Sequence, residues 1–522
     1  MNTGSSSGPQ DSGGTTRLAD ALPAGHAALG GHALYSDWAA ATPHLRDHGT
    51  KRSRKLVDTL EQAIARSGLE DGGTISFHHH FREGDACVLH VVRTLARMGY
   101  RHLTLAGSSL NKCHAGLVEH IRTGVIRHIY TSGMRGELAA EISHGLMDEP
   151  IDIHSHGGRV ALIQSGELHI DVAFLGVPSC DAMGNASGTS GRGRCGSLGY
   201  AKVDARYADT VVLLTEQLVD YPHLPASIGQ DQVDMIVAVD TVGDPGKISI
   251  GAARITSNPR ELLIARHAAD VIEHSGYFRD GFSLQTGSGA SSTAATRFLE
   301  PRLRRRGITA GFALGGITAG IVDLHAKGLV EKLMDVQSFD VVAGRSLAEN
   351  PCHTEISADQ YASPLGKGAA VDELDVVILS ALEVDLNFDV NVVTGSDGLM
   401  MGASGGHCDT AAGANLAIVV APLIRGRIPT VVPRVTTLVT PGENVGVLVT
   451  DHGIAVNPAR PDVAARLTSA GLPVCSIEEL YERATAITGV PAPIEFGERV
   501  VGRIRYRDTS VIDVVREVAR SR

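Results

Sequence analysis

Strand-like apolar runs alternate with helical patterns along almost the whole chain. Residues 53–67 (SRKLVDTLEQAIARS) repeat apolar positions at helical spacing and predict a helix. TISFHHHF (74–81) then reads as a strand, DACVLHVVRTLARMG (85–99) as a helix and HLTLAG (102–107) as the next strand. Strand, glycine-containing turn, helix, strand is the pattern of parallel βαβ units. IDVAFLGV, DTVVLLTE, LDVVILSA, LAIVVAPL and VGVLVTD are near-continuous apolar runs, as expected of parallel strands covered on both faces. SIEELYERATAI (476–487) puts Ser476 and Glu479 at capping-box spacing and predicts a helix.

The pattern repeats. DVAFLGVPSCD (171–181) and DVVILSALEVD (375–385) lie 204 positions apart. DTVVLLTE and NLAIVVAP are offset by 206, SFHHHF and SLQTGSG by 207, and HLTLAG and GFALGG by 209. Four segments in one order at nearly constant spacing predict a tandem internal duplication. The expected fold is α/β, with two related domains at 50–280 and 281–522 and mainly parallel sheets. A Gly-, Ser- and Thr-rich tail at 1–49, partly disordered, precedes them. His78, His79 and His80 fall where the second half has Gly287, Ser288 and Gly289. Both triplets sit at the carboxyl end of a parallel strand, where open α/β sheets bind ligands.

Composition narrows the function. The 522 residues carry a net charge of −11, which gives no expectation of nucleic acid or an anionic membrane as partner. The one basic run, Arg302 to Arg306, reads as a solvated helix face. The 60 glycines with only 4% aromatic residues suit tight βα turns. Seven dispersed cysteines without a CxxC pair suggest reduced thiols in a cytoplasmic protein. No apolar run approaches the roughly 20 residues of a membrane span, and the start lacks the apolar core of a secretory signal.

Three glycine-rich turns could carry chemistry or could be turns only. LQTGSGASSTAATRFLE (284–300) contains Gly287, Ser288 and Gly289. MGASGGHCDTAAGAN (401–415) contains Ser404, Gly405, Gly406 and His407. HSHGGR (154–159) contains His154, His156 and Arg159. Glycines let backbone amides approach a phosphate or an oxyanion. The histidine run with Arg82 suits carboxylate binding. No metal site is expected, because no second Cys/His cluster stands beside the run and no HExxH occurs. Nor does a GxGxxG with a following acidic residue support a nucleotide-dependent dehydrogenase.

ISFHHHFREGD, VPSCDAMGNASG, LGGITAGIVDLHAKGLVEKLMDVQSFD, SALEVDLNFDVNVVTGSDG and ASGGHCDTAAGAN together resemble the alpha-subunit family of citrate lyase, its citrate CoA-transferase component. The resemblance runs over about residues 50–522. It implies two CoA-transferase-type domains and transfer of a carrier thiol from acetate to citrate, giving a citryl thioester. It implies a hetero-oligomer with a beta (lyase) subunit and a gamma (acyl carrier) subunit. The thiol belongs to the carrier's CoA-like prosthetic group, phosphoribosyl-dephospho-CoA, for which free acetyl-CoA can substitute. No tightly bound cofactor is implied.

Many CoA-transferases use a glutamate nucleophile in an LGIHTE-type segment. The matching LGGITAGIVDL (314–324) has Ala319 and Gly320 there. The resemblance therefore implies direct attack by citrate in a ternary complex, through a mixed anhydride. Expected amide donors are Gly315 and Gly316, Gly405 and Gly406, and Gly287 with Gly289. Ser288, Ser404 and His407 join them on the thioester side. His78, His79, His80 and Arg82, then His154, His156 and Arg159, are the expected citrate ligands. Glu383, in SALEVD, is either a loop tie or a nucleophile from another strand; Glu355 is a weaker candidate for the latter. A stand-alone CoA-transferase for another di- or tricarboxylate, or a non-catalytic scaffold, remains open.

Overall fold

A computed structural model describes residues 55–78, 80–249, 256–287 and 289–520; the tail 1–49, His79 and Ser288 lie outside them. In chain order the main strands of the first half are β1 (Leu56–Val57), β2 (Thr74–Phe77), β3 (Leu103–Gly107), β4 (Ile126–Thr131), β5 (Ile151–Ile153), β6 (Val172–Val177), β7 (Thr210–Thr215) and β8 (Met235–Ala238). Those of the second are β9 (Ser283–Thr286), β10 (Ala310–Ile317), β11 (Val330–Ser338), β12 (His353–Glu355), β13 (Val376–Ser380), β14 (Leu416–Val420), β15 (Val447–Val449), β16 (Ile454–Val456) and β17 (Val474–Cys475). A hairpin, β18 (Phe496–Arg505) and β19 (Val511–Val518), ends the chain.

The first sheet runs β1-β8-β7-β6-β2-β3-β4-β5-β18-β19, and the second β12-β11-β10-β9-β13-β14-β15-β16-β17. Among these pairs only β18–β19 and β15–β16 are antiparallel. The course β5-β4-β3-β2-β6-β7-β8 is matched strand for strand by β12-β11-β10-β9-β13-β14-β15. The four sequence pairs offset by 204 to 209 occupy matching places in the two sheets. Both sheets are mainly parallel and flanked by helices. In Cys87–Met98, Val88, Val91, Val92 and Leu95 are buried at helical spacing. Each such side chain contributes roughly 1.5–3 kcal/mol on burial. The apolar core of the first half also takes in Leu314, Val336 and Tyr361, so the halves share packing. Among the described residues no helix is long and apolar enough to cross a membrane.

Four expectations are corrected. The helix expected over 53–67 is Leu60–Arg66, because Thr59 caps it, accepting from the Gln62 N–H at 3.2 Å, while Leu56–Val57 pairs with β8. TISFHHHF is strand only as far as Phe77. Arg302 is not on a solvated face: it is buried and pairs with Glu273 at 3.2 Å. The span 281–522 does not stay with the second sheet, since β18 pairs with β5 of the first.

One buried carboxylate explains that return. Asp152 on β5 is fully buried and accepts from Arg503 Nη2 at 2.6 Å, Arg505 Nε at 2.6 Å and His128 Nε2 at 3.0 Å. Burial raises its pKa, but the hydrogen bonds from His128, Arg503 and Arg505 outweigh this and hold the carboxyl well below its usual 3.8. A depressed carboxyl contributes stability above its unfolded pKa and loses it as the pH falls. Asp152→Ala should therefore cost about 3–5 kcal/mol near neutrality, measured by denaturant unfolding. The gap from wild type should narrow below about pH 4; a gap that widens in acid would contradict the assignment.

Candidate active site

A cavity of about 390 Å³ opens where the carboxyl ends of the two sheets face each other. Arg82 follows β2, Ser109 and Asn111 follow β3, and Ser132 and Arg135 follow β4. From the second half come Gln285 and Thr286 at the end of β9, Gly316 on β10, Phe339 after β11 and Ser380 on β13. The turn 402–407 completes the wall. It is docked on the first half by its backbone: Ser404 N–H donates to Ser132 O at 2.7 Å, and His156 N–H donates to Gly405 O at 2.8 Å.

Charge defines one end. Arg82 and Arg135 line the cavity there; a third lining arginine, Arg425, donates to the Ala381 and Leu382 carbonyls. Burial and the neighbouring Arg135 charge lower the Arg82 pKa to about 10, with Glu83 acting in the opposite sense. Burial also lowers that of Arg135. The Arg82 guanidinium lies 5.2 Å from the Phe339 ring centroid, and its buried Nη1 has no hydrogen-bond partner. Its backbone sits at φ 53, a strained region for a non-glycine residue. Buried Asn111 Nδ2, Gln285 Oε1 and Thr286 Oγ1 on the same wall also have no partner. Groups of this kind are costly to bury unless a ligand meets them.

Of the expected citrate ligands, Arg82 and His156 line the cavity. Burial, then the Arg159 charge, lowers the His156 pKa to about 3, so this imidazole is neutral near pH 7. His78, His80, His154 and Arg159 do not line the cavity. His78 and His80 are buried, stacked with ring centroids 4.1 Å apart and hydrogen-bonded to each other through Nδ1. They left the strand at Phe77, so strand alternation does not aim them at a ligand. His79 is outside the described residues. His154 is fully buried, with Nδ1 3.0 Å from Ser155 O. Arg159 is buried against Asp204, with contacts of 2.5 and 2.9 Å that tie two helices under β2.

Of the residues expected at the thioester, Gly287, Gly289, Gly316, Ser404, Gly405, Gly406 and His407 all line the cavity; Ser288 is outside the described residues. Burial lowers the His407 pKa to about 4, and its Nδ1 is 2.7 Å from Thr440 Oγ1. The Gly287 N–H already donates to Ile378 O at 2.7 Å, so it is no oxyanion donor. The N–H groups of Gly405 and Gly406 have no acceptor among the described residues. Gly315 is off the wall; at φ 95, a Cβ there would stand 2.7 Å from the Gln285 amide. This glycine is a platform for Gln285. Gly406 likewise lets the Tyr361 hydroxyl approach, at 2.6 Å from where a Cβ would be.

The carboxylate candidates, Glu383 and Glu355, do not line the cavity. Glu383 is buried and accepts from Asn391 Nδ2 at 2.8 Å, Thr436 N at 2.8 Å and Thr436 Oγ1 at 3.0 Å. Glu355 accepts from Leu198 N at 2.5 Å and pairs with Lys202 at 3.0 Å, joining the halves. No Asp, Glu or Cys lines the cavity among the described residues. Sequence reasoning missed Arg135, Asn111, Gln285 and Tyr361. Arg135 had a signal: TSGMRGEL (131–138) has the same strand, glycine turn, helix punctuation as the three turns singled out.

The family model described as "Citrate lyase, alpha subunit" matches residues 53–518. The chain is 65% identical over 487 residues to the citrate lyase alpha chain of Klebsiella pneumoniae, covering 93% of this chain and 96% of the relative. It is 66% identical over 467 residues to that of Escherichia coli K12, covering 90% and 92%. A solved citrate lyase alpha subunit from Streptococcus mutans, in complex with citrate, superposes with a TM-score of 0.89 at 52% identity, covering 90% of this chain and 92% of that one. A malonate decarboxylase alpha subunit from Acinetobacter baumannii shares the fold at 19% identity and a TM-score of 0.60.

The turn that carries Gly405 and Gly406 depends on Asp409. This buried carboxylate accepts from Ser155 Oγ at 2.7 Å and Gly157 N at 2.9 Å, capping the helix His156–Ser165 across the seam. Burial raises its pKa from 3.8 to about 6, against the pull of those two donors. A carboxyl raised in the folded state takes up a proton on folding between these values. Its contribution is greatest below the unfolded pKa and is lost as the pH rises through about 6. Asp409→Asn should flatten the stability profile between about pH 4 and 6, measured as denaturation midpoint against pH. An unchanged slope would refute this titration.

Proposed function

The chain belongs to the citrate lyase alpha subunit family, the citrate CoA-transferase component of that enzyme, and we propose that its cavity joins citrate to an acetyl thioester without a protein nucleophile. One observation carries this reading: the wall holds the half-buried Arg82 and Arg135, a third arginine, Arg425, that donates to the Ala381 and Leu382 carbonyls, and, among the described residues, no carboxylate or cysteine. Arg82 and Arg135 take citrate's carboxylates, offsetting the cost of removing a polyanion from water. The Streptococcus mutans relative holds citrate, which supports citrate as the acid used here. Asn111 and neutral His156 supply further polar contacts to it.

A citrate carboxylate oxygen attacks the acetyl thioester carbonyl. The carbon–sulfur bond breaks, giving a mixed acetyl–citryl anhydride and a thiolate. The thiolate attacks the citryl carbonyl, and acetate leaves with the anhydride oxygen. Gly405 and Gly406 N–H groups stabilise the oxyanions; one such donor is worth about 2.7–4 kcal/mol. Holding the reactants together in one cavity supplies up to roughly 7–11 kcal/mol. The thioester is that of the gamma acyl carrier's prosthetic group, with acetyl-CoA as substitute, and the beta subunit consumes the citryl product. Ser404 and His407, beside the glycine turn, lie on the thioester side.

Two measurements test this. Incubated with acetyl-CoA alone, the chain should gain no CoA-sized, hydroxylamine-labile mass, and citryl-CoA and acetate should form once citrate is added. A covalent adduct lost in Glu383→Gln would sink the reading. Arg82→Ala and Arg135→Ala should each raise the citrate KM by roughly 10- to 100-fold, the loss of a charge-assisted hydrogen bond. The acetyl-CoA KM should move far less; equal effects would argue against the assignment of the arginines.

A further inference from the structure

Tyr361 and Gln285 form a buried pair on the cavity wall that the transfer chemistry leaves unused. Gln285 Nε2 donates to the Tyr361 phenol oxygen at 2.9 Å. Gln285 Oε1 is buried and has no hydrogen-bond partner. The Tyr361 O–H has no acceptor among the described residues. Burial raises the Tyr361 pKa, so the phenol keeps its proton. The pair thus presents one unused donor beside one unused acceptor. Each is costly to leave unmet in a buried site.

A carboxylate suits the donor but repels the amide oxygen. A methylene meets neither. A hydroxyl accepts and donates at once, and citrate has one, on its central carbon. We propose that Tyr361 and Gln285 select the substrate by its tertiary hydroxyl: the Tyr361 O–H donates to the hydroxyl oxygen, which in turn donates to Gln285 Oε1. This rests on the reading that citrate occupies the cavity. Both side chains are held for the task. Gly315 supports the Gln285 amide and Gly406 packs on the phenol oxygen, at contacts too close for a Cβ. Tyr361 is further fixed by the helix Ala358–Ala362, whose start is closed by a Ser357–Gln360 capping box. These are specificity-determining residues, separate from the arginines that attract charge.

Tricarballylate keeps the three carboxylates and replaces the hydroxyl by hydrogen. With acetyl-CoA as donor, wild type should favour citrate over tricarballylate by about a thousandfold or more in kcat/KM, as sites built around a substrate hydroxyl do. Tyr361→Phe and Gln285→Leu should each cut that preference to about tenfold or less, by losing citrate and not by losing both acids. The ratio within one preparation is independent of the fraction folded, so a poorly folding variant still gives an answer. Wild type that accepts both acids comparably overturns the proposal while leaving the transferase reading intact. So do variants that lose both acids equally with the ratio unchanged. Wild type that uses neither acid overturns the transferase reading, and this proposal with it.

Discussion

The site depends on a seam between the two halves, and the seam turns on Asp409. Its carboxylate reaches from the second half into the first, where it meets a hydroxyl and a backbone amide at the start of a helix. Around it the turn 402–405 is sewn down by main-chain bonds: Ser404 N–H donates to the Ser132 carbonyl, and the Met134 and His156 N–H groups donate to the Gly402 and Gly405 carbonyls. Both halves line the cavity. Arg82 and Arg135 come from one half and the glycine turn from the other, so the spacing between these charges and the amide donors is the spacing of the seam.

That arrangement makes the electrostatics tolerable. Two guanidiniums facing a common space repel each other, and burial lowers the pKa of both. An isolated loop would relax by swinging one arginine into water. Here Arg82 is held by the Phe339 ring and by a strained backbone, and shared apolar packing keeps the wall in place. The C-terminal hairpin adds to the lock. It joins the first sheet through Asp152, while Tyr506 accepts from Asn444 Nδ2 of the second half at 2.8 Å.

Glycine has different meanings in turns that read alike in sequence. Gly405 and Gly406 line the wall with unused amides. Gly287 lines it too, but its amide is spent on Ile378 of the neighbouring strand β13. Gly315 never reaches the wall and is glycine because the Gln285 amide lies against it. Histidine misleads in the opposite direction: His78, His80 and His154 sit beside the site in sequence and are buried behind it as neutral side chains. Arg82 is exposed to the cavity because the chain turns sharply at φ 53 just after the strand ends.

The chain's own pattern determined the alternation of strands and helices, the repeated course of two mainly parallel sheets and the ends at which the cavity opens. These follow from local periodicity and from segments that recur at constant offset, both of which are written along one dimension. The long motifs were enough to indicate the family. What only the tertiary structure decided is which polar groups share the cavity. Arg135, Asn111, Gln285 and Tyr361 come from separate loops and elements of both halves. Whether a histidine, a glycine amide or Glu383 is available there depends on a partner far away in sequence. The return of the last hairpin to the first sheet is of the same kind: Asp152 and Arg503 lie 351 positions apart and are brought together by folding alone.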